Sequence, residues 1–79
     1  MKEKFKLLIE ILSKNKYVLI YLYNVKYIIY IEDNEYIIKQ WNSDYYYTYS
    51  DINKLFTSFK IYGLSIIECL ENLVIIEGW

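Results

Sequence analysis

The chain has 79 residues, 56% of them hydrophobic and 24% charged, with a net charge of −1, which excludes a disordered segment and fits one small domain over residues 1–79. It has no His, Arg, Ala or Pro and a single cysteine, Cys69, so an intramolecular disulfide is excluded and the usual general base at neutral pH is missing. Eleven tyrosines are the positive signal, because a stiff ring with a hydrogen-bonding tip adds contact area at low entropic cost, although AT-rich coding produces the same bias.

Phe5, Leu8, Ile9 and Leu12 recur at helical spacing and predict a helix over residues 3–14, with Glu10 and Lys14 as an i,i+4 pair. This segment is basic: residues 1–16 hold five Lys against two acids, whereas residues 17–79 hold four Lys against eight. The absence of a large positive field argues against duplex binding. Glu10 interrupts the apolar run that would make a signal peptide, and the run over residues 17–23 is too short for a membrane span. A soluble cytoplasmic protein is expected.

β-Branched and aromatic residues then predict three antiparallel strands over 17–23, 26–32 and 35–41. They are joined by the turns Asn24-Val25 and Asp33-Asn34. Alternation separates Val18, Ile20 and Leu22 from Tyr17, Leu19, Tyr21 and Tyr23, but both sets are apolar, so the inward face stays open. Residues 45–49 are either a short fourth strand or an ordered loop. Ser50 or Asp51 caps a second helix in which Ile52, Leu55, Phe56, Phe59 and Tyr62 keep helical spacing up to Gly63. Ser65 and Glu68 form a capping-box pattern before a further helical stripe through Ile66, Ile67, Leu70, Leu73 and Val74, while residues 73–77 read equally as a strand ending at Gly78. The expected architecture is α+β, a three-stranded antiparallel sheet packed against helices in the order α-β-β-β-α-α.

Little in this inventory supports catalysis. Cys69 lies in an apolar stripe with acids nearby, a setting that raises a thiol pKa. Glu32, Asp33 and Glu35 lack calcium-loop spacing, and Gly63 and Gly78 alone make no phosphate loop. No catalytic residue, metal ligand or cofactor is assigned, and a binding protein is expected rather than an enzyme. The candidate contact residues are Tyr45, Tyr46, Tyr47 and Tyr49 as aromatic anchors, with Glu32, Asp33, Glu35, Asp44 and Asp51 as their acidic companions. Homodimerisation through a tyrosine face or sheet edge, and stacking of unpaired bases on a tyrosine-rich sheet, are the alternatives.

Three segments, Lys14-Asn15-Lys16-Tyr17, Asn34-Glu35-Tyr36-Ile37-Ile38 and residues 53–60 with Leu55-Phe56 and Phe59-Lys60, give the chain a likeness over roughly 60 residues. It resembles the small phage-borne anti-CRISPR proteins that inhibit type II-A Cas9. That resemblance implies a stoichiometric inhibitor of a larger protein or ribonucleoprotein such as a Cas effector. It would block a nucleic-acid channel or a conformational step, with the five acids standing in for phosphates. This chain is far less acidic than those inhibitors.

Overall fold

The amphipathic start folds as α1 (Lys2–Asn15), which buries Leu8, Ile11 and Leu12. It stops where Lys16 takes a left-handed backbone (φ 68°) and its N–H bonds to the Leu12 carbonyl at 2.9 Å. The computed structural model describes residues 2–77, so Gly78 lies outside the described residues.

The meander forms as β1 (Tyr17–Leu22), β2 (Val25–Glu32) and β3 (Glu35–Gln40). Asp33 and Asn34 make the second turn with positive φ at both positions, as expected. The first turn falls one residue earlier than expected: Tyr23 and Asn24 carry the positive φ angles, and Val25 joins β2. A tertiary contact explains the tyrosine there, because its ring stacks edge-on against Tyr62 at 5.5 Å and its hydroxyl accepts from Asn72 Nδ2 at 3.3 Å.

The expected three-stranded sheet is a five-stranded one. Residues Tyr47–Tyr49 form β4 on the outside of β3, and the carboxyl-terminal Leu73–Glu77 forms the last strand, β7, against β1, giving the order β4-β3-β2-β1-β7. All pairings are antiparallel, with an irregularity between Leu19 and Ile20 on the β1–β7 side. The order α-β-β-β-α-α is therefore corrected in its second half. Helix α2 (Ile52–Ser58) is capped by Asp51, whose side chain accepts from the Lys54 N–H at 2.8 Å. It ends well short of Tyr62. Phe59 turns extended, and β5 (Lys60–Ile61) and β6 (Leu64–Ser65) make a small hairpin about Tyr62 and Gly63, both at positive φ. The left-handed Gly63 serves a hairpin, not a helix stop. The extended path lets Phe59 meet Tyr27 while Ile61 enters the core.

The stripe from Ile66 to Val74 is not a helix either. The capping box does form: the Ser65 N–H donates to Glu68 Oε1 at 2.9 Å and the Glu68 N–H to Ser65 Oγ at 3.3 Å. The chain then makes a turn and a single 3-10 turn (Leu70–Asn72) before β7. The open edge of β1 needs a partner for its backbone groups, and the β-branched run Val74, Ile75 and Ile76 supplies one. Ile66, Cys69, Leu70 and Leu73 still reach the core. The Glu68 pKa is lowered, chiefly by the Ser65 N–H bond. A folded-state value below the unfolded one contributes stability above about pH 4.5 that is lost as pH falls through the lower folded value. Denaturant midpoints measured from about pH 6 to about pH 3 are expected to fall less steeply for Glu68→Gln than for the parent chain.

One face of the sheet carries Val18, Ile20, Leu22, Tyr27, Ile29 and Ile38, and these share a single core with Leu8 and Leu12 of α1 and Leu55 and Phe56 of α2. The inward set on β1 is thus Val18, Ile20 and Leu22. The other face is covered by no described helix. Leu19 and Ile37 on that side are buried apart from the main core, sheltered by the larger side chains around them. Among the described residues no helix is long and apolar enough to cross a membrane.

Candidate functional site: a tyrosine-rimmed groove

At the end of the sheet where β3 leaves it, the chain makes a loop over residues 41–46. Ser43 fixes it: its N–H donates to the Gln40 carbonyl at 3.1 Å, its Oγ accepts from the Tyr45 N–H at 3.0 Å, and its carbonyl accepts from Lys39 Nζ at 3.3 Å. Tyr45 is left 83% exposed on an anchored backbone. Across from it stands the β5–β6 hairpin, with Tyr62 at its tip 80% exposed. A groove of about 480 Å³ separates the two, lined by Tyr27, Tyr45, Tyr47, Phe59 and Tyr62 with Gln40, Ser43 and Lys60 as polar points.

The groove is stiffened by ring contacts. Phe59 lies edge-on to both Tyr27, at 6.0 Å, and Tyr47, at 5.3 Å, and the Tyr23–Tyr62 pair braces the hairpin. Burial, then the Tyr62 and Cys69 side chains, push the Tyr27 phenol above its ordinary value, so it stays protonated at neutral pH. The site therefore offers neutral aromatic walls, phenol hydroxyls and one ammonium. A second cleft between α1 and α2, bounded by Phe5, Ile9 and Ile52, is larger, at about 640 Å³, and more open.

The expected contact residues separate into several places. Tyr45 and Tyr47 line the groove. Tyr46, on the alternate side of the chain, approaches Tyr30, whose pKa is raised first by burial and then by Glu32 and Tyr46. Tyr49 is half-buried against the core, and burial raises its pKa. Glu32, Asp33 and Glu35 gather at the β2–β3 turn, with Glu32 and Glu35 directly opposite each other. That turn is at the far end of the sheet from the groove. Asp44 is exposed in the loop, and Asp51 is engaged as the α2 cap.

Sequence reasoning missed Tyr27, Phe59, Lys60 and Tyr62 as groove residues. The signal was Tyr62-Gly63 between Lys60-Ile61 and Leu64-Ser65, a two-residue hairpin turn ending in glycine. Cys69 is buried, its Sγ donates to the Ser65 carbonyl at 3.0 Å, and burial pushes its thiol up, which disfavours the reactive thiolate. Among the described residues no three Cys, Asp or Glu side chains are grouped to hold a metal ion. No protein-family model, curated protein or solved structure matches the chain.

Proposed function

We propose that the chain is a non-catalytic protein-binding module that docks through the tyrosine-rimmed groove and acts by obstructing a larger partner. The observation that carries this reading is the pair of outward tyrosines, Tyr45 and Tyr62, held on anchored turns across a stiff aromatic floor. Pre-ordered aromatic rings lose little entropy on binding, and such rings dominate the energetics of protein interfaces. The groove suits a protruding apolar or cationic side chain, which the ring faces and phenol hydroxyls can enclose.

The narrower form of the proposal is inhibition of a host defence nuclease complex, such as a Cas effector. Its support is the sequence resemblance described above. The separation of the carboxylates, three at the β2–β3 turn and one used as a helix cap, favours blocking by aromatic docking over imitation of a phosphate backbone.

The test is DNA cleavage by a reconstituted Cas effector with its guide RNA, titrated with the chain and with the double variant Tyr45→Ser/Tyr62→Ser. The parent chain is expected to inhibit stoichiometrically. The variant is expected to bind about 30- to 1,000-fold more weakly, from about 1–2 kcal/mol per lost ring, with unchanged circular dichroism. Equal inhibition by the two proteins removes the groove from the mechanism, and no inhibition by either removes the nuclease reading.

A further inference from the structure

The sheet face away from the helices carries an ordered pattern of charge that the groove does not use. On β2, Lys26, Ile28, Tyr30 and Glu32 alternate outward, and on β3, Glu35, Ile37 and Lys39 do so. Register places Glu32 beside Glu35 at one end of this face, while Lys26 and Lys39 lie toward the other. Lys26 Nζ also sits 4.5 Å over the Trp41 ring. Between the charges lie Leu19, Ile28, Tyr30 and Ile37, flanked by Tyr17 and Tyr21. Across β2 and β3 the face is apolar in the middle, acidic at one end and basic at the other.

We infer that this face is the interface of a two-fold homodimer, in which two copies stack sheet on sheet with their strands antiparallel. A two-fold axis lying between the sheets and running across the strands brings Glu32 and Glu35 of each copy over Lys26 and Lys39 of the other. The same axis lays the apolar centres together. The alternative axis, along the strands, sets carboxylate on carboxylate and ammonium on ammonium, so charge selects the first arrangement.

Size agrees with a reversible pair. Five strands roughly 4.8 Å apart give a footprint on the order of 500 Å² per copy, hence about 1,000 Å² in the dimer, at the lower limit for a specific interface. The groove lies on the helix-covered side of the sheet, so a dimer presents two grooves, and failure of either proposal leaves the other standing.

The test is sedimentation velocity from about 1 µM to about 500 µM on the parent chain and two charge-reversed variants. One is Glu32→Lys/Glu35→Lys and the other Lys26→Glu/Lys39→Glu. The parent is expected to pass from monomer to dimer, each variant alone to dimerise at least about tenfold more weakly, and an equimolar mixture to form a heterodimer. Dilution of the parent chain monitored by amide NMR shifts gives a second measurement that needs no variant, with changes expected at Ile28, Tyr30, Ile37 and Lys39. A parent chain monomeric throughout overturns the inference, as does a dimer indifferent to both reversals, a mixture that does not pair, or shifts confined to the groove. A monomer that retards a short RNA overturns it in favour of base stacking on the same rings.

Discussion

Phe56→Ala is expected to lower the stability of the folded chain by about 3–5 kcal/mol, the cost of deleting a buried aromatic ring and leaving its space unfilled. Phe56 is fully buried and heads the fully buried side chains in size. It stacks edge-on against Phe5 of α1 at 5.1 Å, and its carbonyl accepts from the Ile67 N–H at 3.1 Å. One residue thus joins α1, α2 and the segment leading to β7. A chain this size has roughly 4–12 kcal/mol in total, so the variant is left near its unfolding threshold. A thermal midpoint lower by at least about 12 °C checks this, at about 4–8 °C per kcal/mol for a domain of this length. Phe56→Leu keeps most of the volume and is expected to lose a minor part of that. Equal losses from Leu and Ala would mean that the ring stack, not the filled volume, holds the elements together.

The sequence and the fold agree where local pattern and tertiary contact call for the same thing. Phe5, Leu8, Ile9 and Leu12 give α1, and Asp33-Asn34 gives a hairpin whose register follows from its turn. They disagree where a distant contact overrides a local preference. A tyrosine is a poor residue for positive φ, yet Tyr23 adopts it because Tyr62 and Asn72 hold its side chain. Phe59 and Tyr62 match a helical period equally as continuations of α2, and nothing local reveals that Phe59 is needed extended between Tyr27 and Tyr47. The strand at 73–77 is one of the two readings its residues allow, and an edge of β1 that sequence does not display selects it.

The inward face of the sheet was more legible than β1 alone suggests. Lys26, Glu32, Glu35 and Lys39 all fall on one side once β2 and β3 are paired through Asp33-Asn34, and four charges sharing a face mark it as the side away from the core. The groove was less legible because its walls come from segments a dozen or more residues apart. Tyr45 and Tyr47 were identifiable as a tyrosine run, but their partners Phe59 and Tyr62 were assigned to a helix that ends before them.

The second large effect concerns the carboxyl-terminal strand, and it rests on one amino-terminal lysine. Lys4 Nζ donates to the Leu73 carbonyl at 2.8 Å and to the Leu70 carbonyl at 3.1 Å, reaching from the first turns of α1 to the 3-10 turn and the start of β7. Bonds from a charged donor to partly buried carbonyls are stronger than neutral ones, and without the ammonium the Leu70 carbonyl keeps the Leu73 N–H while both carbonyls lose their charged partner. Lys4→Met keeps the apolar stem and deletes the ammonium. It is expected to lower stability by about 1–3 kcal/mol, while Lys6→Met, at an exposed position on the same helix, stays within about 0.5 kcal/mol of the parent. Because β7 is an edge strand paired with β1 alone among the described strands, the loss is expected to be local before it is global. Amide exchange is expected to accelerate at Val74 and Ile75 while the amides of β2, in the centre of the sheet, keep their protection. Uniform acceleration across the sheet would instead mean that Lys4 contributes to the common core and that β7 opens only when the whole molecule does.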